Sequence, residues 1–341
     1  MKLGGFPERV WRGRVLRPLV LIAALILLAT MIRLEPRPTL AGAGEAPIMF
    51  TPIPLDAGDP ARSDVGRLHF LGGWSLDSPD VRLGGLSGLH VENGEAVAVS
   101  DVGMLAFFPL PGASPVPRVR FQPVVEGPGA SRTRLTRDTE GLQVFGDRLW
   151  LSFERYNAVW RYDRGGIRAQ AGAQPEAMRR WRGRNSGPEA MVRLADGRFL
   201  LIAEGRNDTA PTSEAALFAG DPAVAGTPAI RLRYRRPPGG YRATDAALLP
   251  DGRVLILNRS IAGLRFSARL VVAEVRGLRD GGTIEGQEVA TLEAPVVVDN
   301  MEGLSVTREQ GRTIVWLLSD DDFMRLFRHT LLLKFELRLQ R

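Results

Sequence analysis

The sequence predicts an all-β fold, a β-propeller of six blades, preceded by an N-terminal signal-anchor helix. Three observations carry this reading. A short acidic motif returns about every fifty residues, a strand-like apolar run behind a tight-turn signal follows each copy, and one uncharged apolar stretch near the start is flanked by arginines. A period of that size indicates supersecondary units packed around an axis or along a line.

The copies read Gly85-Leu86-Ser87-Gly88-Leu89, Asp138-Thr139-Glu140-Gly141-Leu142, Gly187-Pro188-Glu189-Ala190-Met191, Thr244-Asp245-Ala246-Ala247-Leu248 and Asp299-Asn300-Met301-Glu302-Gly303-Leu304. Four of them carry a carboxylate just before a small residue and an apolar one. In a closed ring equivalent positions face each other, so Glu140, Glu189, Asp245 and Glu302 converge, which is costly unless a cation or protons neutralise them. The strand-like runs are Ala96–Ser100, Arg148–Phe153, Phe199–Ala203, Val254–Leu257 and Thr313–Leu318. Each follows a turn signal: Asn93-Gly94, Gly146-Asp147, Asp196-Gly197, Asp251-Gly252 and Gln310-Gly311. Successive motifs lie 52, 49, 56 and 57 residues apart, the length of a four-stranded blade. The 297 positions from 45 to 341 make between five and six such units. Six is the expectation, with the N-terminal segment and a strand over Thr330–Leu337 sharing a closing blade. Pro109–Ala130 and Asn207–Ala229 read as excursions of the kind that form lids or insertions. Two tandem β-sandwiches would also use these strands, but would leave the carboxylate repeat unexplained.

The N-terminus reads as a membrane address. Arginines up to Arg17 precede an uncharged run over 18–32 that ends at Arg33. The run is shorter than the roughly 20 residues of a comfortable span and closer to a signal-peptide core. Residues 1–33 are therefore a signal peptide or membrane anchor, 34–50 a linker rich in Pro and Gly, and 51–341 the propeller. The positive-inside rule puts the body of the chain outside the cytoplasm. The expected location is the periplasm, by an inner-membrane anchor or a cleaved signal.

Bulk composition excludes several classes. Without cysteine there are no disulfides, thiolate metal sites or Cys nucleophiles. Residues 1–44 hold seven basic and two acidic groups, so the remainder accounts for only +2 of the formal +7, no footprint for nucleic acid. P-loop, dinucleotide and His-Glu-x-x-His motifs are missing, and Gly85-Leu86-Ser87-Gly88 fails the nucleophile-elbow spacing by one position. Hard oxygen donors without Cys suggest Ca²⁺. The ligand candidates are Glu140, Glu189, Asp245, Glu302 and Asn300; the competing reading has these carboxylates accept backbone N–H groups and tie blades together. Arg137 and Arg259, beside the carboxylates, are candidates to grip a substrate anion. His329, close to Asp320, Asp321 and Asp322, is a candidate acid or base with Asp321.

The quoted motifs, together with Asn185-Ser186-Gly187-Pro188-Glu189-Ala190, Leu249-Pro250-Asp251-Gly252-Arg253 and Ser319-Asp320-Asp321-Asp322-Phe323, resemble the phytase-like domain family known as esterase-like activity of phytase. The resemblance spans roughly residues 65–341. It implies a propeller exported by bacteria and hydrolysis of phosphate or carboxylic esters. One departure is Asp322, where the family more usually has Asn. The expected activity is hydrolysis of an ester, phosphate favoured, by metal-assisted attack of water in a monomer. The rivals are a non-catalytic propeller that binds an envelope ligand or protein, and a calcium-dependent lactonase.

Overall fold

The computed structural model describes residues 42–129, 138–181, 187–205, 210–263, 265–324 and 328–339. The expected signal or anchor segment and Arg137 lie outside the described residues. Among the described residues no helix is long and apolar enough to cross a membrane.

The chain opens with four strands: β1 (Gly44–Pro47), β2 (Met49–Pro52), β3 (Asp64–Val65) and β4 (Leu68–Asp77). Blade one follows as β5 (Leu86–Glu92), β6 (Glu95–Ser100), β7 (Met104–Pro109) and β8 (Arg118–Pro123). Blade two is β9 (Thr139–Phe145), β10 (Arg148–Phe153), β11 (Ala158–Asp163) and β12 (Ala169–Ala173). Blade three is β13 (Pro188–Arg193), β14 (Phe199–Ala203), β15 (Thr212–Phe218) and β16 (Ala229–Arg235). Blade four is β17 (Arg242–Leu248), β18 (Val254–Ala262) and β19 (Arg265–Ala273), then β20 (Thr283–Ile284), which crosses to blade three, and β21 (Gly286–Leu292). The last blade takes β22 (Met301–Glu309), β23 (Arg312–Ser319) and β24 (Thr330–Leu337) from the C-terminus and closes on β4 and β2.

There are thus five blades, not six. The expected closing blade, shared by the two ends of the chain, is present. The surplus length that suggested a sixth blade lies partly in edge strands: β1 extends blade one, β20 pairs in parallel with β16, and β2 and β3 flank β4. Such additions cover main-chain groups that an edge would otherwise expose. The supposed excursions contain blade strands as well, β8 in the first and β15 in the second. The expected linker also ends early, because Gly44–Pro47 pairs with β8 and Met49–Pro52 with β4.

Five apolar clusters, one between each pair of neighbouring blades, close the ring. Middle strands are buried on both faces, so they read as continuous apolar runs; every residue of Phe199–Ala203 is buried. At the hairpin tips Asn93 and Gly94, with φ of 52° and 82°, supply the left-handed backbone that a two-residue turn requires.

Candidate functional site

The innermost strands β5, β9, β13, β17 and β22 each carry a register break at the acidic motif. Pairing skips Ser87 in blade one, Glu189 in blade three, Thr244 in blade four and Glu302 in blade five. In blade two the break falls across Glu140 and Gly141, opposite Ser152. A bulge leaves a residue unpaired and turns its side chain off the regular pleat, and here it does so five times around one axis. The next position is small in four blades because a neighbouring inner strand lies against it. A Cβ on Gly141 would come within 2.8 Å of Glu189 O, and one on Gly88 or Gly303 within 2.8 Å of a neighbouring leucine Cβ.

This register corrects the alignment of one copy. Thr244, not Asp245, is equivalent to Glu140, Glu189 and Glu302, and Asp245 occupies the small-residue position. Its carboxylate accepts the N–H groups of Leu304 and Ala246 at 2.8 Å each, with Leu89 N–H contributing. Burial holds its pKa well above the usual carboxylate range despite those bonds. Asp245 therefore ties three blades together, the competing reading of the sequence realised at one position.

A second ring comes from residues at one level of the second strands: Asp101, Glu154, Glu204 and Asp320, each directly after its strand, and Arg259, which stands at the same level inside the longer β18 and pairs with Arg242. Each stands 14 to 18 positions after the bulge residue of its own blade. Sequence reasoning did not place Asp101, Glu154, Glu204 or Asp320 in the site. The signal that could have found them is the acid directly after the second strand in four of the five repeats. With Asp138, the mouth of the propeller gathers eight carboxylates around Arg259, Arg242 and Arg155.

Two sets of oxygens stand close enough to share a cation: Asp138, Glu140 and Glu154, and Glu154, Glu189 and Glu204. Within each set the oxygens lie within 4.8 Å of one another, compatible with about 2.4 Å to a common centre. Acidic groups could therefore hold a metal ion here. Burial and the neighbouring charges of Glu189, Glu302 and Glu154 push the Glu140 pKa well up. Burial and Glu204 do the same to Glu189. Burial and Asp138 raise Glu154 to about 7, and burial raises Glu302 to about 7 although Arg259 opposes it. Burial works against the Arg259 charge, but Glu302, Glu204 and Glu189 outweigh it and raise its pKa.

Arg259 reaches Glu302 at 3.3 Å and Glu204 at 3.4 Å, while Arg242 reaches Glu204 at 3.1 Å. The expected anion grip is thus drawn into the carboxylate network. Glu204 Oε2 is buried without a hydrogen-bond partner, as are Asn300 Oδ1 and Ser87 Oγ. Asn300 turns its amide nitrogen to Glu302 Oε1 at 2.8 Å, which fixes that carboxylate. The structure therefore brings Glu140, Glu189, Glu302, Asn300 and Arg259 together. It does not bring His329 or Asp321 into catalytic positions. The His329 side chain is exposed. Asp321 is saturated, accepting N–H groups of Gly85 and Phe323 at 2.9 Å each and the Thr330 hydroxyl at 3.1 Å. Asp322 sits at φ 50°, in the left-handed region that Asp and Asn tolerate, and its carboxylate pairs with Arg328. Exchange with Asn at that position suits the backbone.

The fold and its mouth define an acidic five-bladed propeller. The chain belongs to the phytase-like family: the family model described as esterase-like activity of phytase matches residues 81–323. No curated protein sequence matches the chain. Among solved structures, a glutaminyl cyclase from Myxococcus xanthus is similar at 13% identity, covering 80% of this chain and 99% of that one, with a TM-score of 0.46. A streptogramin B lyase is similar at 10% identity, covering 85% and 98%, with a TM-score of 0.36. A β-xylosidase is similar at 12% identity, covering 79% and 94%, with a TM-score of 0.41. Likenesses this distant bear on neither substrate nor reaction.

Proposed function

We propose that the protein is an exported, membrane-anchored, calcium-dependent hydrolase of small-molecule esters, phosphate esters favoured, in which water attacks the ester. The observation that supports it is the mouth itself, with eight carboxylates around three arginines and two oxygen sets of cation size sharing Glu154. The donors fit Ca²⁺: all are oxygens, none is a thiolate because the chain has no cysteine, and Glu204 keeps a buried oxygen free. Asp138, Glu140, Glu154, Glu189 and Glu204 would hold the ion. Bound there, it would polarise a phosphoryl or carbonyl oxygen and acidify a water.

The remaining steps belong to this chain's own groups. Glu302, oriented by Asn300 and poised near pH 7, takes the proton that water loses. Arg155, half-exposed and 3.9 Å from Asp138, supplies positive charge for an anionic ester. Lactone hydrolysis calls for an apolar mouth and is disfavoured by this charged one.

Turnover of 4-nitrophenyl phosphate and 4-nitrophenyl acetate, in EDTA and in millimolar Ca²⁺, tests the proposal. It expects calcium-dependent turnover, higher for the phosphate, that falls about a hundredfold or more in Glu189→Gln. Calcium uptake without turnover of any ester would favour the binding propeller. Turnover indifferent to EDTA and to Glu189→Gln would refute the site.

A further inference from the structure

The axis has a second end. Beyond the bulges the inner strands run away from the acidic mouth, and each blade contributes a leucine to a cavity of about 320 Å³: Leu89, Leu142, Leu194, Leu248 and Leu304. That volume lies within the about 300–1,000 Å³ of small-ligand sites. On β17 Asp245 falls between Thr244 at the mouth and Ala246 in the cavity wall, its oxygens occupied by backbone N–H groups. The cavity therefore shares no ligand group with the cation clusters.

Two polar side chains of its lining stand out. Arg193 lies 3.7 Å over the ring of the exposed Phe145, and its Nη1 donates to Leu194 O at 3.4 Å. It forms no ion pair with a carboxylate among the described residues. His90 Nε2 is buried without a hydrogen-bond partner. Burial lowers the pKa of that imidazole to about 4, so the ring is neutral and can donate or accept.

We propose that this lower cavity binds a small aliphatic carboxylate, with its chain among the five leucines and its carboxylate on Arg193. The apolar wall takes the chain because burying methylenes there removes them from water. A planar guanidinium with no carboxylate partner among the described residues matches a carboxylate in two parallel hydrogen bonds. His90 offers a further hydrogen bond at the inner wall. Five blades build the cavity and the acidic mouth from opposite ends of the same strands, so the protein carries two chemically opposite sites on one axis.

Calorimetric titration of the full chain with sodium octanoate in EDTA tests this, with n-octanol as the uncharged control. The expected result is saturable binding at one site with Kd below about 1 mM. Arg193→Gln weakens it by about tenfold or more, and n-octanol binds by a similar factor less tightly. Filling the cavity with Leu142→Trp abolishes it, with melting of the variant checked in parallel, whereas Glu189→Gln leaves it unchanged. No saturable binding, equal binding by Arg193→Gln, or equal affinity for n-octanol overturns the proposal.

Discussion

Replacing Glu154 by Gln should change stability with opposite sign in metal-free and calcium-loaded protein. Glu154 belongs to both oxygen clusters, and in the metal-free state burial and Asp138 hold its pKa at about 7 against an ordinary value of 4.5. Between those two values the folded state binds more protons than the unfolded state. Stability therefore falls as pH rises through the window, and the whole penalty is present above about pH 7. A displacement from 4.5 to about 7 corresponds to about 3 kcal/mol as an upper bound, at about 1.4 kcal/mol per pKa unit. The amide is nearly isosteric and can still accept the Gly187 N–H that Glu154 Oε1 receives at 3.2 Å. Glu154→Gln should thus raise the melting temperature at pH 8 in EDTA, by several degrees if most of that energy is recovered, at about 2–4 °C per kcal/mol. At pH 5 most of the gain disappears, because the folded carboxyl is already protonated. In millimolar Ca²⁺ the variant should lose the stabilisation that the wild type gains. Differential scanning calorimetry at the two pH values, with EDTA and with calcium, measures all of this. A lower melting temperature for the variant at both pH values in EDTA would make Glu154 a structural tie and refute the reasoning.

Three further outcomes follow from the geometry. Asp245→Ala strands the buried N–H groups of Leu304 and Ala246, and should cost about 2–4 kcal/mol in chemical denaturation while leaving the calcium-induced stabilisation intact. Gly141→Ala drives a Cβ to 2.8 Å from both Glu189 O and Ser152 Oγ, and should destabilise by about 1–3 kcal/mol in the same assay. Asp322→Asn keeps a residue that tolerates φ 50° and removes a charge that raises both Glu302 and Asp320. The midpoint of Glu302 followed by NMR should then move down, with little change in melting temperature.

The ring was legible in the sequence because a carboxylate, a small residue and a turn recur at blade spacing, and each has a physical reason to recur. The bulge turns the acid off the pleat, the neighbouring strand excludes a Cβ at the next position, and the hairpin needs positive φ. The second strands were legible too, since burial on both faces leaves unbroken apolar runs such as Phe199–Ala203. The blade count was not, because β1, β2, β3 and β20 are edge additions, and β1 and β20 pair with strands that lie far away in sequence. Asp245 misled for a related reason. Spacing in sequence cannot show where a bulge inserts a residue, so an acid one position out of register looked equivalent to its neighbours. His329 looked catalytic from its proximity in sequence to three aspartates, but its side chain faces solvent, while Asp321 is consumed by backbone N–H groups. The four acids of the second ring went unread because each stands just past the end of a second strand, and only the closed ring brings them together.

The most direct test of the acidic mouth as a cation site is calorimetric titration of metal-free protein with Ca²⁺ at pH 7.5, beside Glu154→Gln and Glu189→Gln. Saturable uptake by the wild type, lost or weakened by about tenfold or more in each variant, is what the account predicts. No uptake by the wild type, or uptake that both variants retain unchanged, would contradict it.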